Sequence, residues 1–236
     1  MSDILIPTAV FIACYLVGAV PFSLLIGFAA GVDIRTKGSG NIGATNVIRS
    51  AGLVPGIFAF VLDIGKGLGM VIAAYFVLGH FIPGYPKWYL VAAALAAIIG
   101  HIFPVYLKFK GGKGVATSAG AVFVLAPVSV ITSAIAFGIA FFASGKTVAI
   151  GSTAAAITFP IILTIFQFCI PSFNTWFFGI DYPYLLALSL IVCAFIVIRH
   201  IPNYKRLLAG SEMSFSKKKA AKKSSKGKRS GGRRNK

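Results

Sequence analysis

The chain is predicted to be an all-α integral membrane protein of seven transmembrane helices, two of them short, with its site facing the cytoplasm. Three observations carry this reading. Hydrophobic residues make up 57% of the 236 positions and charged residues only 12%, too little polar material to coat a water-soluble globule. The apolar stretches are long and unbroken, unlike the apolar–polar alternation of a transmembrane barrel. The basic residues cluster in segments that the positive-inside rule puts on one side. A soluble enzyme, a disordered chain and a secreted disulfide scaffold are excluded on the same grounds.

The first apolar run spans Ile4 to about Ala30, starts from Met1-Ser2-Asp3 without a basic region, and is too long for a cleaved signal peptide. A glycine-rich segment, Gly31 to Ser50, follows. The second run, Leu53–Leu78, contains Asp63 and Lys66. A loop with Pro83, Tyr85, Pro86 and Trp88 has the composition of an interfacial aromatic belt. The third run, Tyr89–Leu107, contains His101. A second polar segment, Lys108–Thr117, leads into the long run Val115–Ala143, interrupted by Pro127. After Ser144-Gly145-Lys146-Thr147 comes the fifth run, Val148–Ile170, then an aromatic loop, Pro171–Pro183, and a last run to Ile198.

The segments bearing Arg35, Lys37 and Arg49, then Lys108, Lys110 and Lys113, then the basic C-terminus, are expected to be cytoplasmic, and the N-terminus outside. Residues 108–117 and 199 onward then share a side, so an even number of crossings separates them. Three runs stand there, and Lys146 favours an inside position for its loop. Val115–Ala143 is therefore expected to leave and return as two short helices turning near Pro127, giving seven helices. The alternative of five spans treats one run as non-crossing.

The net charge of +18 is concentrated at one end. Lys217–Lys236 holds 11 Lys and Arg and no acid, leaving 12 basic and 5 acidic residues elsewhere. The chain divides into a membrane domain, 1–212, and a disordered basic cytoplasmic tail, 213–236, expected to lie on anionic lipid. The tail lacks interleaved aromatic residues, and no specific nucleic acid is expected. Cys14, Cys169 and Cys193 lie in apolar runs and read as small core residues rather than a disulfide framework, and no metal site or cofactor is expected.

Gly38-Ser39-Gly40-Asn41-Ile42-Gly43-Ala44-Thr45-Asn46 matches the dinucleotide-loop spacing by chance, since no βαβ unit surrounds it. Its glycines permit close backbone approach to a ligand. Ser39, Asn41, Thr45 and Asn46 add donors, and Arg49 adds a phosphate-matching fork. Lys108-Phe109-Lys110-Gly111-Gly112-Lys113-Gly114-Val115-Ala116-Thr117 lacks the first glycine of a Walker A loop. It still joins glycines and three lysines to a helix start, which favours an anion. In the third segment, Arg199–Glu212, His200 and Asn203 are three apart on one helical face, unless Pro202 distorts it, and Glu212 is the only glutamate. Asp63 and Lys66, three apart in an apolar run, either face a polar cavity or pair with each other. The three segments share a side and offer groups for a phosphorylated ligand handled beside lipid tails. A transporter of a phosphorylated solute is the alternative.

In this order, with the flanking pieces Pro21-Phe22-Ser23, Asp63-x-x-Lys66-Gly67 and Gly100-His101-x-Phe103-Pro104-Val105, the segments resemble the bacterial membrane acyl-phosphate:glycerol-3-phosphate acyltransferases, the PlsY family, over residues 1–212. The resemblance implies a seven-helix bundle in the bacterial inner membrane and no cofactor. It implies acyl transfer from acyl phosphate to the 1-hydroxyl of sn-glycerol 3-phosphate, giving lysophosphatidate and phosphate, the first step of phospholipid synthesis. Ser39, His200 and Asn203 are then the expected catalytic residues. Gly38, Gly40, Asn41, Gly43, Thr45, Asn46, Arg49, Lys108, Lys110, Gly111, Gly112, Lys113, Gly114 and Thr117 are expected to bind substrate. Asp63, Lys66, His101, Lys146, Arg206 and Glu212 are expected to support them.

Overall fold

The computed structural model describes residues 2–169 and 179–215, and among these every regular element is helical. The basic tail from 216 onward and most of the aromatic loop, 170–178, lie outside the described residues. The first apolar run is two helices, α1 (Ser2–Ala19) and α2 (Phe22–Ala29), rather than one continuous helix. The break falls at Val20-Pro21, because Pro21 has no N–H to continue the ladder. A loop leads to the short α3 (Ala44–Ser50). The long α4 (Leu53–Phe81) and α5 (Trp88–Ile102) follow, and a 3-10 turn, Val105–Leu107, extends α5.

The run interrupted by Pro127 is divided there. It forms α6 (Val115–Leu125) and α7 (Pro127–Ala143), with Ala126 between them in a non-helical conformation, as a residue before proline favours. Their 11 and 17 residues reach about 16 and 25 Å against a hydrocarbon core of about 30 Å. α8 (Val148–Cys169) and α9 (Tyr182–Leu208) complete the bundle. α9 does not stop at Ile198 but carries through Pro202, so Arg199, His200 and Asn203 are helical. Among the described residues, five segments are long and apolar enough to cross a membrane, namely Ile4–Ala29, Leu53–Phe81, Trp88–Leu107, Val148–Cys169 and Tyr182–Leu208. α6 and α7 are shorter.

Burial is inverted relative to a soluble protein. Ile57, Phe58, Phe76, Ile139, Phe142, Ile161 and Phe168 are exposed, while Asp63, Lys66, His101, Thr117, His200, Asn203 and Glu212 are buried. An apolar outer face costs nothing in lipid, whereas a polar side chain there does. Between the helices, small residues allow close approach. A Cβ on Gly67 of α4 would collide with the Thr117 carbonyl of α6. One on Gly120 of α6 would collide with the Ile64 carbonyl of α4. Gly18 and Gly100 pack α1 on α5 in the same way. The α4–α6 contact brings Asp63 beside the start of α6, which fixes the floor of the site.

Candidate active site

One cavity of about 140 Å3 collects residues from all three polar segments, room for about ten waters. Ser39, Asn41, Gly43, Thr45, Asn46 and Arg49 line it from the first segment, Lys113 from the second, and His200, Asn203 and Glu212 from the third; Asp63 and His101 face it from below. Phe60, Phe137, Val148, Ala149 and Ser152 form a largely apolar wall. These five had no distinguishing signal in the sequence, because their composition matches that of lipid-facing positions.

The first segment is organised by its own side chains. Asn46, buried in the first turn of α3, accepts a hydrogen bond from the Ser39 amide at 2.9 Å. It donates to the carbonyls of Ile34 at 2.7 Å and Lys37 at 3.1 Å. Asn46 was expected to bind substrate, but its amide is spent on holding the loop. Gly38 has φ +59° and its missing Cβ leaves room for Asn46, so it shapes the loop around the Ser39 amide. Gly38 borders the outer cavity beside Arg49, while Gly40 borders the neighbouring groove with Arg199 and Arg206. Among the described residues, the Ser39 hydroxyl makes no hydrogen bond, and no Ser39–His200 bond is present.

The second segment divides its lysines. Lys113 enters the central cavity, whereas Lys108 and Lys110 are exposed and do not line it. The glycines serve packing rather than anion binding. The Gly111 and Gly112 amides, expected to hold phosphate, donate to the Ile102 and His101 carbonyls at 3.2 Å each. A Cβ on Gly112 would strike the His101 ring. Arg199, to which the sequence assigned no role, clasps this loop, donating to the Gly111 carbonyl at 2.7 Å and the Gly112 carbonyl at 3.1 Å. Gly114, at φ +83°, turns the loop into α6. Thr117 is fully buried and hydrogen-bonds His101 Nδ1 at 3.0 Å.

The third segment forms a relay. Lys113 Nζ donates to Asn203 Oδ1, Asn203 Nδ2 donates to Glu212 Oε1 at 2.7 Å, and Arg206 Nε donates to Glu212 Oε2 at 2.8 Å. The chain fixes the Asn203 amide by charge at both ends, its oxygen toward the ammonium and its NH2 toward the carboxylate. One turn earlier, His200 Nδ1–H donates to the Ile196 carbonyl at 2.8 Å, so a neutral ring carries its lone pair on Nε2.

The charges here are mostly positive. Burial pulls the Lys113 ammonium down to about 8. Glu212 opposes this, and Arg206, Arg49 and Arg199 add to it. Burial likewise lowers the Arg49 guanidinium, with Glu212 opposing and Arg206 adding. It stays charged at neutral pH, as arginine does in proteins.

Below the cavity, Asp63 and Lys66 pair with each other and also face polar neighbours. Asp63 Oδ1 lies 3.0 Å from Lys66 Nζ and 3.7 Å from His101 Nδ1, and Ser23 donates to Oδ2 at 2.6 Å. Lys66 also donates to the Val20 carbonyl at 2.8 Å, the carbonyl just before the Pro21 break. Lys146 stands in the α7–α8 turn at φ +67° and does not line the cavity. Among the described residues, no three His, Cys, Asp or Glu side chains are grouped so as to hold a metal ion.

The chain matches the model of the glycerol-3-phosphate acyltransferase family over residues 8–210. Relatives named glycerol-3-phosphate acyltransferase include that of Trichlorobacter lovleyi, 40% identical over 201 residues, covering 85% of this chain and 93% of the relative. That of Geobacter sulfurreducens is 36% identical over 215 residues, covering 91% and 99%. The fold matches the crystal structure of PlsY, an integral membrane glycerol 3-phosphate acyltransferase, in its glycerol 3-phosphate form. The TM-score is 0.75 at 32% identity, with 91% of this chain and 98% of that one covered. The lysophosphatidic acid form of PlsY gives a TM-score of 0.72 at 33% identity, with 89% and 95% covered. Three polar segments converge on one cavity between apolar helices, and the likeness runs through the whole helical body: the chain belongs to the glycerol-3-phosphate acyltransferase family and is an acyltransferase of the PlsY type.

Proposed function

We propose that the acyl donor is acyl phosphate and that the reaction is a direct transfer to the 1-hydroxyl of sn-glycerol 3-phosphate. The observation that carries this reading is the make-up of the cavity. A cationic side built on Arg49, Lys113 and the Asn203–Glu212–Arg206 relay faces an apolar wall of Phe60, Phe137, Val148 and Ala149. Such a site suits one substrate that is all phosphate and hydroxyl and another that joins a phosphate to an alkyl chain. The PlsY structures in glycerol 3-phosphate and lysophosphatidic acid forms support the acceptor and the product.

In the proposed reaction the C1 hydroxyl oxygen bonds to the acyl carbon. The bond from that carbon to the phosphate oxygen breaks, and the hydroxyl proton passes to a phosphate oxygen. Inorganic phosphate and 1-acylglycerol 3-phosphate leave. Acyl phosphate is a mixed anhydride, so catalysis rests on alignment and on stabilising the carbonyl oxygen as it gains charge. Ser39 and Asn203 supply hydrogen bonds to the reacting acyl phosphate, with His200 orienting them, while Arg49 and Lys113 hold phosphate. Lys108 and Lys110, exposed beside the site, act on anionic substrates before they dock. No acyl-enzyme forms. Asp63, Lys66, His101 and Lys146 support the framework.

The same reading sets the membrane topology. Seven helices cross, α6 and α7 included, and the site opens to the cytoplasm with the N-terminus outside, in the inner membrane of a bacterium. The basic tail lies on anionic lipid.

The test is phosphate release by purified protein in detergent with palmitoyl phosphate and glycerol 3-phosphate, supplied together and separately. Phosphate and lysophosphatidate appearing only when both are present is the expected result. Acyl-Ser39 trapped with palmitoyl phosphate alone would overturn direct transfer, and inactivity of folded protein toward acyl phosphate would overturn the donor.

A further inference from the structure

Arg49 is held from a distant part of the chain. Its Nη2 donates to the Met213 carbonyl at 2.8 Å, and its guanidinium carbon lies 5.3 Å from the centre of the Phe215 ring. The residues that hold it are themselves pinned. The Phe215 amide donates to the Lys146 carbonyl at 3.4 Å, and the Ser214 hydroxyl donates to the Gly145 carbonyl. The Phe215 ring meets Phe141 of α7 edge-on at 6.4 Å between centroids. Just upstream, Glu212 is anchored to Asn203 and Arg206. Residues 213–215 thereby tie α3 to the α7–α8 turn, and they lie beyond the stretch that matches the family model.

We propose that Met213–Phe215 form a latch that positions Arg49 for substrate phosphate, which makes Phe215 a positioning residue for the reaction. The proposal rests on the reading of Arg49 as a phosphate ligand. α3 is only seven residues long, and Arg49 sits in its last turn. A short helix leaves a long arginine side chain many orientations. An aromatic face beside the guanidinium and a carbonyl acceptor at Nη2 restrict them. Neither of these two groups is anionic, so neither offsets the positive charge that a phosphate needs. Arg49 borders both the central cavity and an outer cavity of about 570 Å3 that is walled by residues 210–215. Residues 213–215 border the outer cavity and not the central one. Pre-orientation of this kind is read in substrate affinity, because less side-chain freedom is lost on binding.

The experiment compares full-length protein with chains ending at Phe215 and at Glu212, with Phe215→Ala and Phe215→Trp, and with Arg49→Ala and Arg49→Lys. kcat and KM are measured for glycerol 3-phosphate and palmitoyl phosphate in detergent, with thermal unfolding recorded for each variant. The chain ending at Phe215 is expected to match full-length protein. The chain ending at Glu212 and Phe215→Ala should raise KM for a phosphate substrate by about three- to tenfold with kcat little changed. Phe215→Trp should restore KM, since it keeps an aromatic face. In an Arg49→Lys background, Phe215→Ala should add almost nothing. An unchanged or lowered KM for the chain ending at Glu212 would overturn the latch, as would a loss confined to kcat and thermal stability that Trp does not rescue. Arg49→Ala separates the two readings. If it leaves both KM values intact, the phosphate role of Arg49 fails. If it raises one while the Glu212 truncation does not, the latch alone fails.

Discussion

Three lysines crowd residues 108–113, and burial separates them. Lys108 and Lys110 are exposed, while Lys113 reaches the relay through Asn203. With its ammonium brought down to about 8 by burial and neighbouring arginines, Lys113 is charged below that pH and loses its proton as pH rises through it. A phosphate monoester is already dianionic above about pH 6, so the substrate does not change charge over that window. The expected outcome is a fall in kcat/KM for glycerol 3-phosphate above about pH 8, by up to about tenfold per pH unit. Lys113→Arg should flatten that limb, because a guanidinium keeps its proton. A profile for Lys113→Arg identical to that of the parent would assign the titration elsewhere.

At the scale of elements, contacts between helix backbones set where the site residues stand. Gly67 and Gly120 let α4 and α6 touch, which brings Asp63 and His101 beneath the start of α6 and leaves Lys113 just above them. Gly65 and Gly69 lie on the same helix as Gly67 but have open space around them. Gly67→Ala is therefore expected to destabilise the protein by about 1–3 kcal/mol through overpacking, and Gly65→Ala to stay within about 0.5 kcal/mol. Thermal unfolding in detergent separates the two, and equal shifts would refute the close-contact argument. Both glycines read alike in the sequence, since the neighbour that distinguishes them comes from a helix some 50 positions later.

For the whole molecule, the proposed seven crossings rest on the course of α6 and α7. Seven crossings put the turn at Ala126 on the outer face, whereas a five-span arrangement keeps it within the membrane on the cytoplasmic side. In the proposed orientation Gly145 is inside in either case. With the native cysteines replaced, Ala126→Cys in intact cells is expected to react with an impermeant thiol reagent, and Gly145→Cys only after the membrane is opened. Protection of Ala126→Cys in intact cells would favour five spans. The fold was largely legible here. Unbroken apolar runs mark helices, and Pro127 marks the break between α6 and α7 because the residue before a proline leaves the helical region. The break at Pro21 was missed because the run around it is uniformly apolar, and hydropathy does not report a lost backbone hydrogen bond. At the other end the apolar run stops at Ile198 while α9 continues, in keeping with the helical spacing of His200 and Asn203: Arg199 and His200 end the hydropathy signal but not the helix.

The candidate site was legible as a list and not as an arrangement. Three polar segments stand out between the apolar runs, and their resemblance to a known family implied the roles, which is why Ser39, Arg49, Lys113, His200, Asn203 and Glu212 could be named from the sequence and do line one cavity. What each of them touches is a different matter. Asn46 turns inward to hold its own loop, Gly111 and Gly112 give their amides to α5, and Arg199 braces their carbonyls. Membership of a membrane acyltransferase family follows from local chemistry written along the chain. The division of its polar groups between framework and substrate follows from hydrogen bonds closed across tens to hundreds of residues, and a donor's partner is set by which helix packs beside it, not by the residues that flank it.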